Sequence, residues 1–167
     1  MSIKCLQCGG ETRARRGKFK DKSLGLPDLT LIGVEIRKCK KCGEEEVVIP
    51  KAEQLRKLIV SKLVKKSGLL IGAEVRYLRK YIGWSGVQFA EKFKVAPETI
   101  SRWENDKEKI GYAEDGLLRV FAQCHAPITS YEIEDLISAI QSHDQKRKVL
   151  PITAKQEDHE WIMSGAR

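Results

Sequence analysis

The chain has 167 residues, with 31 Lys/Arg against 23 Asp/Glu and a formal charge of +8. That length has room for two small domains and a tail. No apolar run approaches the ~20 residues that a membrane helix needs, so the sequence excludes a membrane-spanning helix of that length and no membrane partner is expected.

The first feature in chain order is a pair of Cys-x-x-Cys-Gly units, Cys5 to Gly9 and Cys39 to Gly43. Each short spacer puts two sulfurs on one side of a turn, and two such hooks suit one tetrahedral Zn²⁺ held by Cys5, Cys8, Cys39 and Cys42. Lys4, Lys38, Lys40 and Lys41 offset the negative charge of four thiolates. Two disulfides are the bland alternative. No signal peptide precedes the pairs, so the expected compartment is the reducing cytoplasm. A redox Cys-x-x-Cys lacks a surrounding βαβ pattern. With four sulfurs engaged the metal has no open position for catalysis, and no Ser-His-Asp set or phosphate loop stands out, so an enzyme is not expected. Segment 12–20 is basic and polar, 29–36 alternates apolar and β-branched residues, and Val47, Val48 and Ile49 end before Pro50. Together they read as strands of a small β-rich domain over 1–50, which needs its metal to fold.

Segment 51–66 follows as a connecting helix with Leu55, Leu58, Ile59 and Leu63 on one stripe, and Ser67-Gly68 is a candidate hinge. The next unit, 69–142, reads as all-helical. Ile71, Val75, Leu78 and Ile82 share a face of a helix over 72–82. Then come two short helices with a tight turn. Phe89 and Phe93 sit four apart, Ile100 and Trp103 three apart, Ser85 can cap the first helix, and Pro97 suits the first turn of the second. This is the layout of a helix-turn-helix, whose second helix enters the DNA major groove. Arg79 falls off the apolar stripe of its helix and can pair with Glu104. The outer face of the second helix carries Glu98, Thr99, Ser101 and Arg102. Arg102 is a candidate for two hydrogen bonds to guanine; Thr99 suits a thymine methyl or a phosphate. Glu98 either accepts from cytosine or is only a carboxylate favoured at a helix N-terminus. Segments 114–123 and 131–142 are further amphipathic helices, with Leu117, Leu118, Phe121, Leu136, Ile137 and Ile140 available for core or dimer packing. Cys124 reads as a half-buried thiol near a helix end. Residues 143–167 read as a mobile tail or a docking segment.

The run 75–105, ending ISRWEN, resembles the phage-repressor (Cro/Xre) type of helix-turn-helix. The resemblance implies that Arg79 and Glu104 pair, that the start of the second helix meets base edges, and that Ser85, Asn105 and the nearby Lys107 hold phosphates. The chain departs from that pattern at three places: Gly86 stands where Gln is frequent, and Lys94 and Asp106 stand where Gly is usual. With the two hooks and LTLIGVEIRKCKKCGEEEVVIP, the whole of 5–105 resembles the YgiT-type, MqsA-like antitoxin family. That resemblance implies an α+β chain made of a small β-rich four-cysteine zinc domain, a connecting helix and an all-α repressor-like domain. It also implies a homodimer on a palindromic double-stranded DNA operator, autoregulation, and a possible toxin partner.

Charge is uneven: +9 over 1–68, +2 over 69–110 and −3 over 111–167. The basic part is therefore the cysteine-bearing one. It can lie along flanking phosphates, meet RNA or an acidic partner, or simply be a solvated surface.

Overall fold

The computed structural model of the chain describes residues 4–125, 149–157 and 160–164. Strand β1 (Thr12–Asp21) pairs antiparallel with β2 (Leu29–Cys39), from Thr12 opposite Cys39 to Asp21 opposite Leu29. In β2 the buried apolar residues are Leu29 and Leu31, then Val34 and Ile36. Their parity changes because the ladder slips by one residue, at Gly17/Lys18 on β1 and Gly33 on β2. One extra residue in a strand resets which face each side chain occupies, so the bulge keeps a single face apolar. Arg13, Ala14, Arg15 and Arg16 of β1 are exposed on the outer edge. Strand β3 (Glu45–Val48) returns antiparallel along Glu35–Lys38 of β2.

Five helices follow: α1 (Ala52–Val64), α2 (Gly72–Ile82), α3 (Gly86–Phe93), α4 (Pro97–Glu104) and α5 (Tyr112–His125). In α1 the buried residues are Leu55, Ile59, Val60, Leu63 and Val64, one stripe at helical spacing. The expected helix over 131–142 lies outside the described residues.

The expectation of a tail over 143–167 is corrected. Residues within it form β4 (Ile152–Glu157) and β5 (Glu160–Met163), an antiparallel pair. β4 runs parallel to β2, with Leu29 opposite Ile152 and Ile32 opposite Lys155. Trp161, a lone apolar residue in the sequence, is 2% exposed. Its indole Nε1 donates to the Pro50 carbonyl at 2.7 Å, and its backbone N–H donates to Gln54 Oε1 at 3.2 Å. Glu160 accepts from Lys51 and Gln54. The described chain is thus mixed α and β: a five-stranded sheet, order β1-β2-β4-β5 with β3 also on β2, and five helices. The order of β structure first and helices after holds to residue 125, and β4 and β5 depart from it by returning to the sheet.

Segment 67–68, expected to hinge, is held from several sides. Arg119 is 0% exposed and donates to the backbone carbonyls of Val64, Lys66 and Gly68 at 3.2, 2.5 and 2.6 Å. A helix C-terminus leaves carbonyls without partners, and this guanidinium supplies them for α1. Arg119 Nε lies 2.7 Å from Asp115 Oδ2, off the N–H axis, so the contact is an ion pair rather than an aligned hydrogen bond. Asp115 also accepts from the Leu70 N–H at 2.8 Å, and Lys66 meets Glu74 at 2.6 Å in the interior. Burial pushes the Asp115 carboxyl above its ordinary range, while Arg119 pulls it back down. Buried apolar residues from the sheet and from all five helices form a single cluster among the described residues. No described helix is long and apolar enough to cross a membrane.

Candidate metal centre and candidate nucleic-acid interface

The two hooks fold alike. In each, the first cysteine's N–H donates to the carbonyl five residues on: Cys5 to Gly10 and Cys39 to Glu44, both at 2.8 Å. The glycine after the second cysteine donates back to the first cysteine's carbonyl, Gly9 to Cys5 at 2.9 Å and Gly43 to Cys39 at 3.2 Å. Both glycines have positive φ, +67° and +76°, the conformation that residue adopts without strain. The hooks face each other, with Cys5 Sγ 3.7 Å from Cys42 Sγ and Cys8 Sγ 3.5 Å from Cys39 Sγ. All four sulfurs lie within 4.8 Å of one another.

Those distances are too long for disulfides, which need ~2.05 Å. They fit a metal: four sulfurs at ~2.3 Å from a tetrahedral zinc stand ~3.8 Å apart. A Cβ added at Gly10 would sit 3.2 Å from Cys39 Sγ and 3.3 Å from Cys8 Sγ, so that residue leaves room for the sulfurs. The Cys39 sulfur accepts from the backbone N–H groups of Lys41 and Cys42 at 3.3 and 3.5 Å. These amides, Cys42 first, bring its pKa down to about 6, while the Cys42 thiol, despite a lowering backbone bond at Glu44, is pushed up to about 12 by its bonds with Cys8 and Cys39. The four cysteines can therefore hold one metal ion. Cys124 stands apart and is exposed, not half-buried as expected.

The second candidate site is the α3–α4 pair. Ser85 caps α3: its hydroxyl accepts from the Gln88 N–H at 3.1 Å, and Gln88 Oε1 accepts from the Ser85 N–H at 2.8 Å. The turn leaves α3 through Lys94 in the left-handed region, φ 56°. Phe89 is buried and meets Phe93 edge-on at 4.5 Å, with Trp103 of α4 at 6.3 Å.

The end of α4 is fixed to α2. Arg79 Nε and Nη2 donate to Glu104 Oε1 and Oε2 at 2.5 and 3.1 Å, the two-pronged contact the sequence suggested. Arg79 Nη1 also donates to the Trp84 carbonyl at 2.6 Å. Arg76 adds bonds to Glu104 Oε2 at 3.1 Å, the Glu104 carbonyl at 3.2 Å and Asn105 Oδ1 at 2.9 Å. Asp106, φ 55°, accepts from the Gly72 N–H at 2.9 Å and so caps the start of α2. Its presence where glycine is usual has a physical reason: the side chain supplies an acceptor that glycine lacks.

Of the residues expected to read bases, Arg102 and Glu98 are exposed and Thr99 is half-buried. Arg102 Nη1 lies 3.8 Å from Glu108 Oε2, a loose exposed pair. Of the residues expected to hold phosphates, Ser85 and Lys107 are exposed, the Ser85 hydroxyl being used in its cap. Asn105 is exposed, but its amide is engaged at both ends, accepting from Arg76 and donating to the Ser101 carbonyl at 2.7 Å. Sequence reasoning missed Arg76, the capping role of Asp106, and two further residues, Asp115 and Arg119. The last two had one signal, their i,i+4 spacing on a helix. Arg76 had a weaker one, lying three residues before Arg79 on the same helix. Comparison with protein-family models, curated proteins and solved structures finds no match for the chain.

Proposed function

We propose that the chain is a sequence-specific DNA-binding transcriptional repressor of the antitoxin-like type, working as a homodimer in the cytoplasm. In this reading α4 lies in the major groove, Arg102 donates to a guanine, and Thr99 and Glu98 face neighbouring bases. Ser85 and Lys107 approach phosphates, with Asn105 helping through its backbone and its Arg76 neighbour. Occupancy of an operator near its own gene excludes polymerase. Cys5, Cys8, Cys39 and Cys42 hold one structural Zn²⁺ whose coordination is filled, so no reaction is assigned to the centre.

The observation that carries the reading is the fixing of α4. Its inner side is buried through Ile100 and Trp103, its end is tied to α2 by Arg76 and Arg79, and the face with Glu98 and Arg102 is left to solvent. A rigid helix with a polar free face is what base reading needs, because base contacts demand fixed geometry. Footprinting of the purified protein on DNA upstream of its own gene tests it. The expected result is protection of a palindrome with half-sites about one turn apart, ~34 Å. Absence of any protected sequence at moderate salt would sink the reading.

One observation favours a second reading. Arg13, Arg15, Arg16, Lys18 and Lys20 are exposed on an edge strand, a basic ribbon suited to RNA phosphates or to an acidic partner protein. Competition by single-stranded RNA that displaces duplex DNA would favour it over the first.

A further inference from the structure

A cavity of about 550 Å³ lies away from both candidate sites. Four parts of the chain meet around it. The β1–β2 connection contributes Leu24, α1 contributes Arg56 and Lys57, α2 contributes Tyr77, Lys80 and Tyr81, and the end of α5 contributes His125. The volume falls in the range of small-molecule sites. Its charge is one-sided: three cations face it against a single carboxylate, Glu53, which lies 3.8 Å from Arg56 in a loose pair. Its wall is aromatic, with Tyr81 and His125 edge-on at 5.7 Å.

Tyr77 supplies an independent sign. The residue is 7% exposed and its ring lines the cavity, yet its hydroxyl is closed to solvent and has no hydrogen-bond partner among the described residues, so a ligand meets it only if the ring shifts. A buried hydroxyl without a partner is costly, and native interiors seldom leave one unmatched. Burial also raises the Tyr77 pKa well above its ordinary value, so the group stays a neutral O–H able to donate.

We propose that this cavity is a binding site for a small aromatic anion, its acidic group met by Arg56, Lys57 and Lys80 and its polar edge accepting from the Tyr77 hydroxyl once that ring turns toward the ligand. A mononucleotide and an aromatic carboxylic acid share this chemistry. The site lies against α2, the helix that also carries Arg76 and Arg79, and it stands independently of what α4 reads.

The test is calorimetric titration of the full-length protein, without DNA, using AMP, salicylate and inorganic phosphate as separate probes. AMP or salicylate binding supports the proposal when Arg56→Ala with Lys80→Ala weakens it by about tenfold or more. Both positions are exposed, so that pair leaves the fold intact. Tyr77→Phe separates a ligand role from a structural one. It removes only the unpartnered hydroxyl, so the ligand-free thermal midpoint should hold or rise while affinity falls several-fold. Which organic probe binds assigns the source. Phosphate binding as tightly as either organic probe, no binding of any probe at millimolar concentration, or affinity unmoved by both sets of substitutions would overturn it.

Discussion

A Cβ on Gly72 would fall 2.5 Å from the Trp103 carbonyl oxygen and 2.7 Å from that of Glu104, and backbone atoms cannot swing aside as a side chain can. Gly86 has open space at the same hypothetical position. Gly72→Ala should therefore cost about 1–3 kcal/mol through overpacking, while Gly86→Ala should be neutral or gain up to about 1 kcal/mol. Paired urea titrations check this, and equal effects would contradict the close approach of α2 and α4. Among the described residues the Arg102 side chain makes one loose ion pair, with Glu108. Arg102→Ala should leave stability within about 0.5 kcal/mol and cost about 1–3 kcal/mol in operator binding, with relaxed choice at one base position. Uniform weakening across sequences in a binding titration would make it a phosphate contact instead. At this scale the sequence was legible where a contact needs only residue type and helical phase. Arg79 and Glu104 were visible that way. The capping part played by Asp106 was not, because it depends on the N–H of a residue far off in the chain.

Among the elements, the helices were readable because each carries its own apolar stripe, and Ser85 and Pro97 mark two of their starts. β4 and β5 were not. Their buried residues, Ile152, Ala154 and Trp161, are few and sit among charges, and their burial depends on β2 and α1. The Glu160 contact ties β5 to the start of α1, and it gives a pH signature. Hydrogen bonds from Lys51, then Gln54, hold the Glu160 carboxyl below the usual carboxylate range. A group with a depressed folded pKa stabilises the fold above its unfolded pKa, and that contribution is lost as pH falls through the folded value. Between about pH 5 and pH 3 the native protein should thus lose stability more steeply than Glu160→Gln. Thermal midpoints across that interval measure the difference, and parallel curves would remove the contact from the account.

At the scale of the molecule, the boundary expected at 67–68 is crossed by a shared core and by the Arg119 bonds to Val64, Lys66 and Gly68. The sequence could not show this, since a Ser-Gly pair reads as flexible until its carbonyls find a partner. The four-cysteine cluster lies at the outer end of the β1–β2 ladder, beside Thr12 and Cys39, and its loops have few apolar residues to hold them. Freshly purified protein should carry about one zinc per chain. Its chelation should free the amides of 4–11 and 40–46 in hydrogen exchange, while those of α2 to α4 keep their protection. Purified protein without metal, or loss of protection throughout, would contradict this division.

The parallel pairing of β2 with β4 also sets an order on synthesis. Residues 29–32 leave the ribosome early, yet their partners at 152–155 emerge only after all of α1 to α5. Local helical contacts can close while the chain is still growing, but that edge of β2 must wait. A nascent or prematurely released chain therefore displays Leu29 to Ile32 as an unpaired apolar edge, the kind of surface that chaperones and aggregates both capture. Completion of the sheet is then a report that translation has reached β4, delivered through a strand that was made near the beginning.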